Sequence, residues 1–256
     1  MSPNDRDSTG VYLKDAQEVS IMRRAGAIVR RVLEEASGQI RPGVTLLELE
    51  RWCHRSILEQ GGMPSFLGYQ GFPAAVCISV NDEVVHGIPS ERRIADADLV
   101  KLDVGVTLDG MIADAAATYV VGAIPARSRE LVVTTEQALY KGIEQARAGN
   151  HLHDISHAIQ THVERQGFSV VRALSGHGVG RKLHEGPSIP NFGRAGSGVK
   201  LRAGMTLAIE PMINLGNLEV CTEDNGWTVK TRDGRPSAHF EHTILVTDGP
   251  AEILTQ

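Results

Sequence analysis

Two acidic residues sit where an apolar strand should bury them, and they constrain this chain more than any other feature. Asp103 lies in LVKLDVGV and Asp114 in MIADAAATYVV, with the hairpin signal Leu108-Asp109-Gly110 between the two runs. Strand alternation puts Asp103 on one face with Lys101, Gly105 and Thr107, and Asp114 on one face with Ile112, Ala116 and Thr118. Gly105 and Ala116 are small, which leaves room beside each acid for something other than a side chain. A buried carboxylate is costly unless something neutralises it. A Lys or Arg partner would do so. A bound cation would too, but it needs further ligands elsewhere in the chain.

Further acids of the same kind recur. Glu210 lies in TLAIEPM and Glu241 in HFEHTILV, again inside apolar strand-like runs. Four carboxylates meeting without a cation could not all stay ionised, because each raises the pKa of the others. Two divalent ions would cancel their summed charge. Carboxylate oxygens with one imidazole suit cobalt, manganese, iron(II) or zinc. The best imidazole is His177 in Ser-Gly-His-Gly, where the flanking glycines allow close backbone approach.

The order of elements repeats. Capping boxes at Asp15-Ala-Gln-Glu18 and Thr45-Leu-Leu-Glu48 open two helices, expected to end near Gly38 and at Gly61-Gly62. A shaped loop over 64–73 and a strand over 74–80 precede the acid-bearing hairpin. Helices over 128–148 and 154–166 follow, then a strand over 168–174, a Gly-rich segment, a loop containing His184-Glu-Gly-Pro187, and strands over 205–213 and 238–246. Asp103 then corresponds to Glu210 and Asp114 to Glu241, with an insertion containing WTVKTRDG in the second half. The fold class is α+β: a flexible lead-in over 1–14, then a single domain over 15–256 with half-repeats at about 15–125 and 126–256.

A formal net charge of −5 without a Lys/Arg cluster argues against nucleic acid or an anionic membrane as partner. No run is long enough to span a membrane, and the N-terminus has no secretory pattern. Three widely spaced cysteines, Cys53, Cys77 and Cys221, suit reduced thiols in a cytosol. The chain is read as cytoplasmic and, with no hydrophobic stripe left over, as a monomer.

In this order NDEVVHGIP, LDVGV, the Asp114 strand, SGHGVGRKLHEGP, TLAIEPM, WTVKTRDG and FEHTILVT resemble the type I methionine aminopeptidases of the pita-bread metallopeptidase family, from about Asp15 to the C-terminus. The resemblance implies a pita-bread fold, a pseudo-twofold repeat of helix pairs packed on a central curved antiparallel sheet. It implies two divalent ions held by Asp103, Asp114, His177, Glu210 and Glu241, with Asp114 and Glu241 bridging. It implies substrate contacts at His86 and His184, and a methionine pocket from Tyr69, Phe72, Cys77 and Trp227. The implied substrate is the N-terminal methionine of nascent proteins whose second residue is small. An enzyme acting there would meet the ribosome transiently, although no motif for that contact is present. The chain departs from the family pattern at Gln70, Phe66 and Val85, which bears on the pocket rather than on the chemistry.

In the expected mechanism, a water bridging the two ions attacks as hydroxide on the first peptide carbonyl. Glu210 takes its proton and passes it to the leaving amine, His184 donates to the oxyanion, and His86 steadies the scissile nitrogen. His242, beside Glu241, points to the opposite strand face and is read as structural. His153 and His157, at i, i+4 spacing, are read as an exposed helix face. Two other classes compete: a proline-directed peptidase with the same five ligands, and a non-catalytic module on the same scaffold. The first usually carries an extra N-terminal domain and the second typically loses ligands.

Overall fold

The computed structural model describes residues 11–256. Both capping boxes form. Asp15 and Glu18 exchange side-chain and backbone bonds at the start of α1 (Ala16–Ala36), and Thr45 and Glu48 do the same for α2 (Leu46–Glu59). A two-residue strand β1 (Met63–Pro64) and a single 3-10 turn at Tyr69–Gly71 follow, then β2 (Cys77–Val80) and β3 (Glu83–Val85). The acid-bearing hairpin is β4 (Leu99–Leu108) and β5 (Met111–Val120). Its turn has positive φ at Asp109 (46°) and Gly110 (80°), the left-handed pair that an Asp-Gly hairpin turn requires.

The second half opens with α3 (Ala126–Ile143) and α4 (Leu152–Arg165). Next come β6 (Ser169–Val170), β7 (Ser175–Gly178) and β8 (Glu185–Pro190), then β9 (Thr206–Ile209) and β10 (Met212–Asn214). The last strands are β11 (Val220–Thr222), β12 (Val229–Thr231), β13 (Ser237–His239), β14 (Glu241–Leu245) and β15 (Glu252–Ile253). Among the described residues the main sheet runs β1-β4-β5-β14-β9-β7-β8, with β2 also on β4 and β15 on β14. Its strand pairs are antiparallel. Smaller sheets, β13-β10-β6 and β11-β12-β3, flank it.

Each half has its own core. Val29, Leu49 and Ile57 of α1 and α2 pack on Ile78, Leu102, Val104 and Ala113, while Leu131, Leu139, Ile155 and Ile159 of α3 and α4 pack on Leu207, Ile209 and Ile244. The halves join where β5 meets β14, through Glu241↔Ala116 and His242↔Ala115. This is the α+β pita-bread arrangement.

Several boundaries differ from expectation. The strand expected over 205–213 breaks after Ile209, because Pro211 offers no N–H to continue the ladder and Met212 joins another sheet. The strand expected over 238–246 divides at Phe240 for the same change of sheet. The helix over 128–148 ends at Ile143, and the strand over 168–174 shrinks to two residues. The segment read as a loop around His184-Glu-Gly-Pro187 becomes β8, paired with β7. The first ten residues of the expected lead-in lie outside the described residues. The rest of it is packed: Val11 is 5% exposed and Lys14 7%.

One close approach matters for stability. A Cβ built on Gly26 of α1 would run into the backbone carbonyl of Leu254, which crosses the helix there. Gly26→Ala must therefore push α1 off the C-terminal segment, with an expected loss of about 1–3 kcal/mol. Urea unfolding of the variant measures it, and a variant as stable as the parent would refute the contact.

Candidate metal centre

The four acids converge. Asp103 on β4 lies opposite Cys77 and Ala116, and Glu241 on β14 pairs with Ala116, so these two carboxylates flank one small residue. Asp114 is held on β5 by Thr243, whose hydroxyl accepts from the Asp114 N–H at 3.0 Å and lies 3.0 Å from Asp114 Oδ1. Glu210 stands at the end of β9, where the break before Pro211 frees it from the ladder. One expectation about space fails. The room beside Gly105 is taken by Phe66, whose Cε1 would lie 2.5 Å from a Cβ at that position.

His177 on β7 completes the group. Its Nδ1–H donates to Gly178 O at 3.0 Å, which leaves the Nε2 lone pair facing the acids. Nε2 is 3.7 Å from Asp114 Oδ2 and 3.7 Å from Glu210 Oε1. These are acceptors facing acceptors, too far apart to be hydrogen bonds and spaced so that something positive fits between them. One ligand atom each from Asp114, His177 and Glu241 lie within 4.8 Å of one another. Asp103 Oδ1 is buried without a hydrogen-bond partner. Among the described residues no Lys or Arg forms an ion pair with any of the four acids, so the alternative of basic partners fails here. The donor set fits divalent ions of the cobalt, manganese, iron(II) and zinc kind.

The electrostatics agree with the geometry. Burial pushes the carboxyls of Asp103, Glu210 and Glu241 well above the usual range, and their mutual repulsion adds to it. Asp114 is raised to about 6 by burial, opposed by its bond with Thr243. His86 and His184 are both lowered to about 4, chiefly by burial and then by neighbouring imidazoles, and are neutral at pH 7.

The five candidate ligands line one cavity of about 180 Å³ together with the two candidate substrate histidines and the four candidate pocket residues. His86, held at φ 58°, and His184 face it, as do Tyr69, Phe72, Cys77 and Trp227. Tyr69 OH lies 2.8 Å from His184 Nδ1, and the rings of Phe72 and Trp227 meet edge to face at 5.2 Å. Asn225 fixes the Trp227 turn, its Oδ1 accepting from the N–H of Trp227 and of Thr228 at 2.9 Å each. Phe66 and Leu183 close the apolar wall.

Two residues at the site, Leu183 and His239, are not among those expected from the sequence, and a third, Lys101, proves to lie outside it. Leu183 is the lone apolar residue of RKLHEGP, a signal that was readable. Strand alternation in HFEHTILV puts His239 on the face of Glu241 and says nothing of Glu210. His239 is 1% exposed, its burial lowers its pKa to about 3, and its Nε2 stands 3.4 Å from Glu210 Oε2. Lys101 is fully buried and turns away from the acids, donating to the carbonyls of Asn81 at 2.7 Å and Ser237 at 3.1 Å. His242 packs behind the sheet against Thr255 and Tyr140, in keeping with a structural role. Of the His153/His157 pair, His157 is exposed, but His153 is half-buried and bonded to Ser197.

The sequence profile of metallopeptidase family M24 matches residues 20–248. A methionine aminopeptidase of Clostridium perfringens (strain 13) is 49% identical over 96% of this chain and 98% of its own length. Methionine aminopeptidase 1 of Bacillus subtilis (strain 168) is 48% identical over 96% of this chain and 99% of its own. The crystal structure of the methionine aminopeptidase of Thermotoga maritima superposes with a TM-score of 0.95 at 46% identity, over 96% of this chain and 99% of that one. The prolidase of Pyrococcus furiosus, at 23% identity and a TM-score of 0.79, has the same fold; this chain covers 65% of it.

Proposed function

The chain belongs to metallopeptidase family M24, and from that premise we propose that it is a metal-dependent aminopeptidase removing N-terminal methionine. The observation that carries this reading is the His177 Nε2 lone pair set 3.7 Å from two carboxylate oxygens that have no basic partner. Asp103, Asp114, His177, Glu210 and Glu241 would hold two divalent ions. Such ions supply a water acidified enough to attack a peptide carbonyl, and positive charge opposite the oxygen that becomes negative.

The chain's own residues do the rest. Glu210 stands at the end of its strand with a raised pKa, suited to take a proton and deliver it to the leaving amine. Tyr69 OH lies 2.8 Å from His184 Nδ1; with the hydroxyl as donor, the neutral imidazole carries its proton on Nε2, the tautomer that would donate to the carbonyl oxygen. Neutral His86 faces the scissile nitrogen. The methionine side chain enters between Phe66, Tyr69, Phe72, Cys77, Leu183 and Trp227, where an unbranched thioether adapts to an irregular apolar wall. The cavity of about 180 Å³ is smaller than the ~300–1,000 Å³ of pockets for drug-sized ligands, which suits one unbranched side chain beside the centre. The substrates are the N-termini of nascent chains. No helix among the described residues is long and apolar enough to cross a membrane. A cytoplasmic monomer in transient contact with the ribosome accords with that role.

The test is hydrolysis of two tripeptides, with and without chelator. Met-Ala-Ser is cleaved, Ala-Pro-Ala is not, and chelator abolishes the first reaction. Peptides starting Met-Ser turn over at least about 100-fold faster than those starting Met-Glu, the scale expected when a bulky charged group must enter a closed site. Equal rates for the last pair refute the small-residue preference. Cleavage of Ala-Pro-Ala alone would make the enzyme proline-directed.

A further inference from the structure

Residues 11–15 run as a strap past the turn that carries His184. The Lys14 N–H donates to Gly204 O at 2.8 Å, and its side chain crosses Gly180, where any Cβ would collide with Lys14 Cε. It ends in an ion pair with Glu185 Oε2 at 2.5 Å, each side chain 1% exposed. The other oxygen of Glu185 accepts the Lys182 N–H at 3.0 Å. From the same turn, Arg181 Nε donates to Glu18 at 2.6 Å, and its guanidinium lies 5.0 Å from the Tyr12 ring. The turn is thus tied twice to the start of the chain, once through the residue that directly follows His184.

A fully buried ion pair seldom gains stability over an apolar pair of the same size. A pair placed next to a residue that must point one way gains geometric definition instead. His184 needs it. Its ring packs edge-on to His177 at 4.3 Å and meets Tyr69 OH at 2.8 Å, contacts that a small shift of the backbone at 184–185 would break.

We propose that Lys14 is a positioning residue for the peptidase reaction, acting through Glu185 to hold His184 against His177 and Tyr69. The proposal rests on the reading of His184 as the donor to the substrate carbonyl. In the metal-loaded, full-length protein, Lys14→Met lowers kcat on Met-Ala-Ser by about 10- to 100-fold with little change in KM, as expected when a reacting group is misplaced by a fraction of an ångström to an ångström. Metal stoichiometry stays at the parent value, and amide exchange over 178–186 accelerates. Lys14→Arg recovers most of the loss.

The decisive arm is His184→Ala. Adding Lys14→Met to it costs nothing more if Lys14 acts through His184, whereas a general packing role makes the two losses multiply. Should Lys14→Met fail to fold, Lys14→Met/Glu185→Met replaces the ion pair by an apolar one and shows the same loss. Parent-level kcat in either folded variant, or multiplying losses, overturns the proposal. A parent protein inactive on Met-Ala-Ser would instead overturn the proposed function, so the two failures are distinct.

Discussion

Glu241→Gln lowers hydrolysis of Met-Ala-Ser roughly 10³-fold or more, since it removes an oxygen donor from the centre rather than a partner one step away. The same substitution stabilises the metal-free protein. Glu241 is 3% exposed, and burial, followed by repulsion from Asp114, Glu210 and Asp103, raises its pKa well above the ordinary range. A carboxyl with a raised folded pKa contributes its full stability below the unfolded pKa, and loses it as pH rises through the folded one. Metal-free parent protein is therefore penalised at high pH and relieved at low pH. At pH 8 the metal-free variant should exceed the parent by on the order of 1–3 kcal/mol, and the gap should close towards pH 5. Urea unfolding in chelator at both pH values measures this. A variant less stable than the parent at pH 8, or a gap that ignores pH, would show that the four acids do not strain the fold.

Metal affinity carries the second large effect. Ligands with raised pKa values must lose protons to bind, so cations and protons compete for the same oxygens. His177 adds less to this competition, because burial lowers its pKa below the ordinary imidazole value. With two or more protons displaced, affinity for manganese or cobalt falls about 100-fold or more for each pH unit below neutrality. Calorimetry in two buffers of different ionisation enthalpy counts the protons released. Binding that releases none, or affinity constant between pH 6 and pH 8, would exclude the shared site.

Why the acids could be read from the sequence follows from the same energetics. A carboxylate inside LVKLDVGV or LAIEPM contradicts its surroundings, and that contradiction is local and visible. The capping boxes at Asp15 and Thr45 and the turn at Asp109-Gly110 are likewise encoded in adjacent residues. What escaped depends on distant partners. Phe66 fills the space over Gly105 from a loop almost 40 residues earlier, so alternation along β4 alone suggested room that is taken. The breaks at Pro211 and Phe240 follow from strands changing sheets, which hydrophobic pattern does not record. His239 becomes notable only once Glu210, from another strand, arrives beside it.

The seam between β5 and β14 sets a timetable for the molecule. Ala116 must find Glu241 across nearly half the chain, so closing that loop belongs late in folding, after each core has gathered its own nearby helices. Because synthesis delivers the N-terminal half first, a chain still growing can complete one core yet hold only Asp103 and Asp114 of the five proposed donors. On the proposed donor set, the centre is complete only once β14 docks on β5.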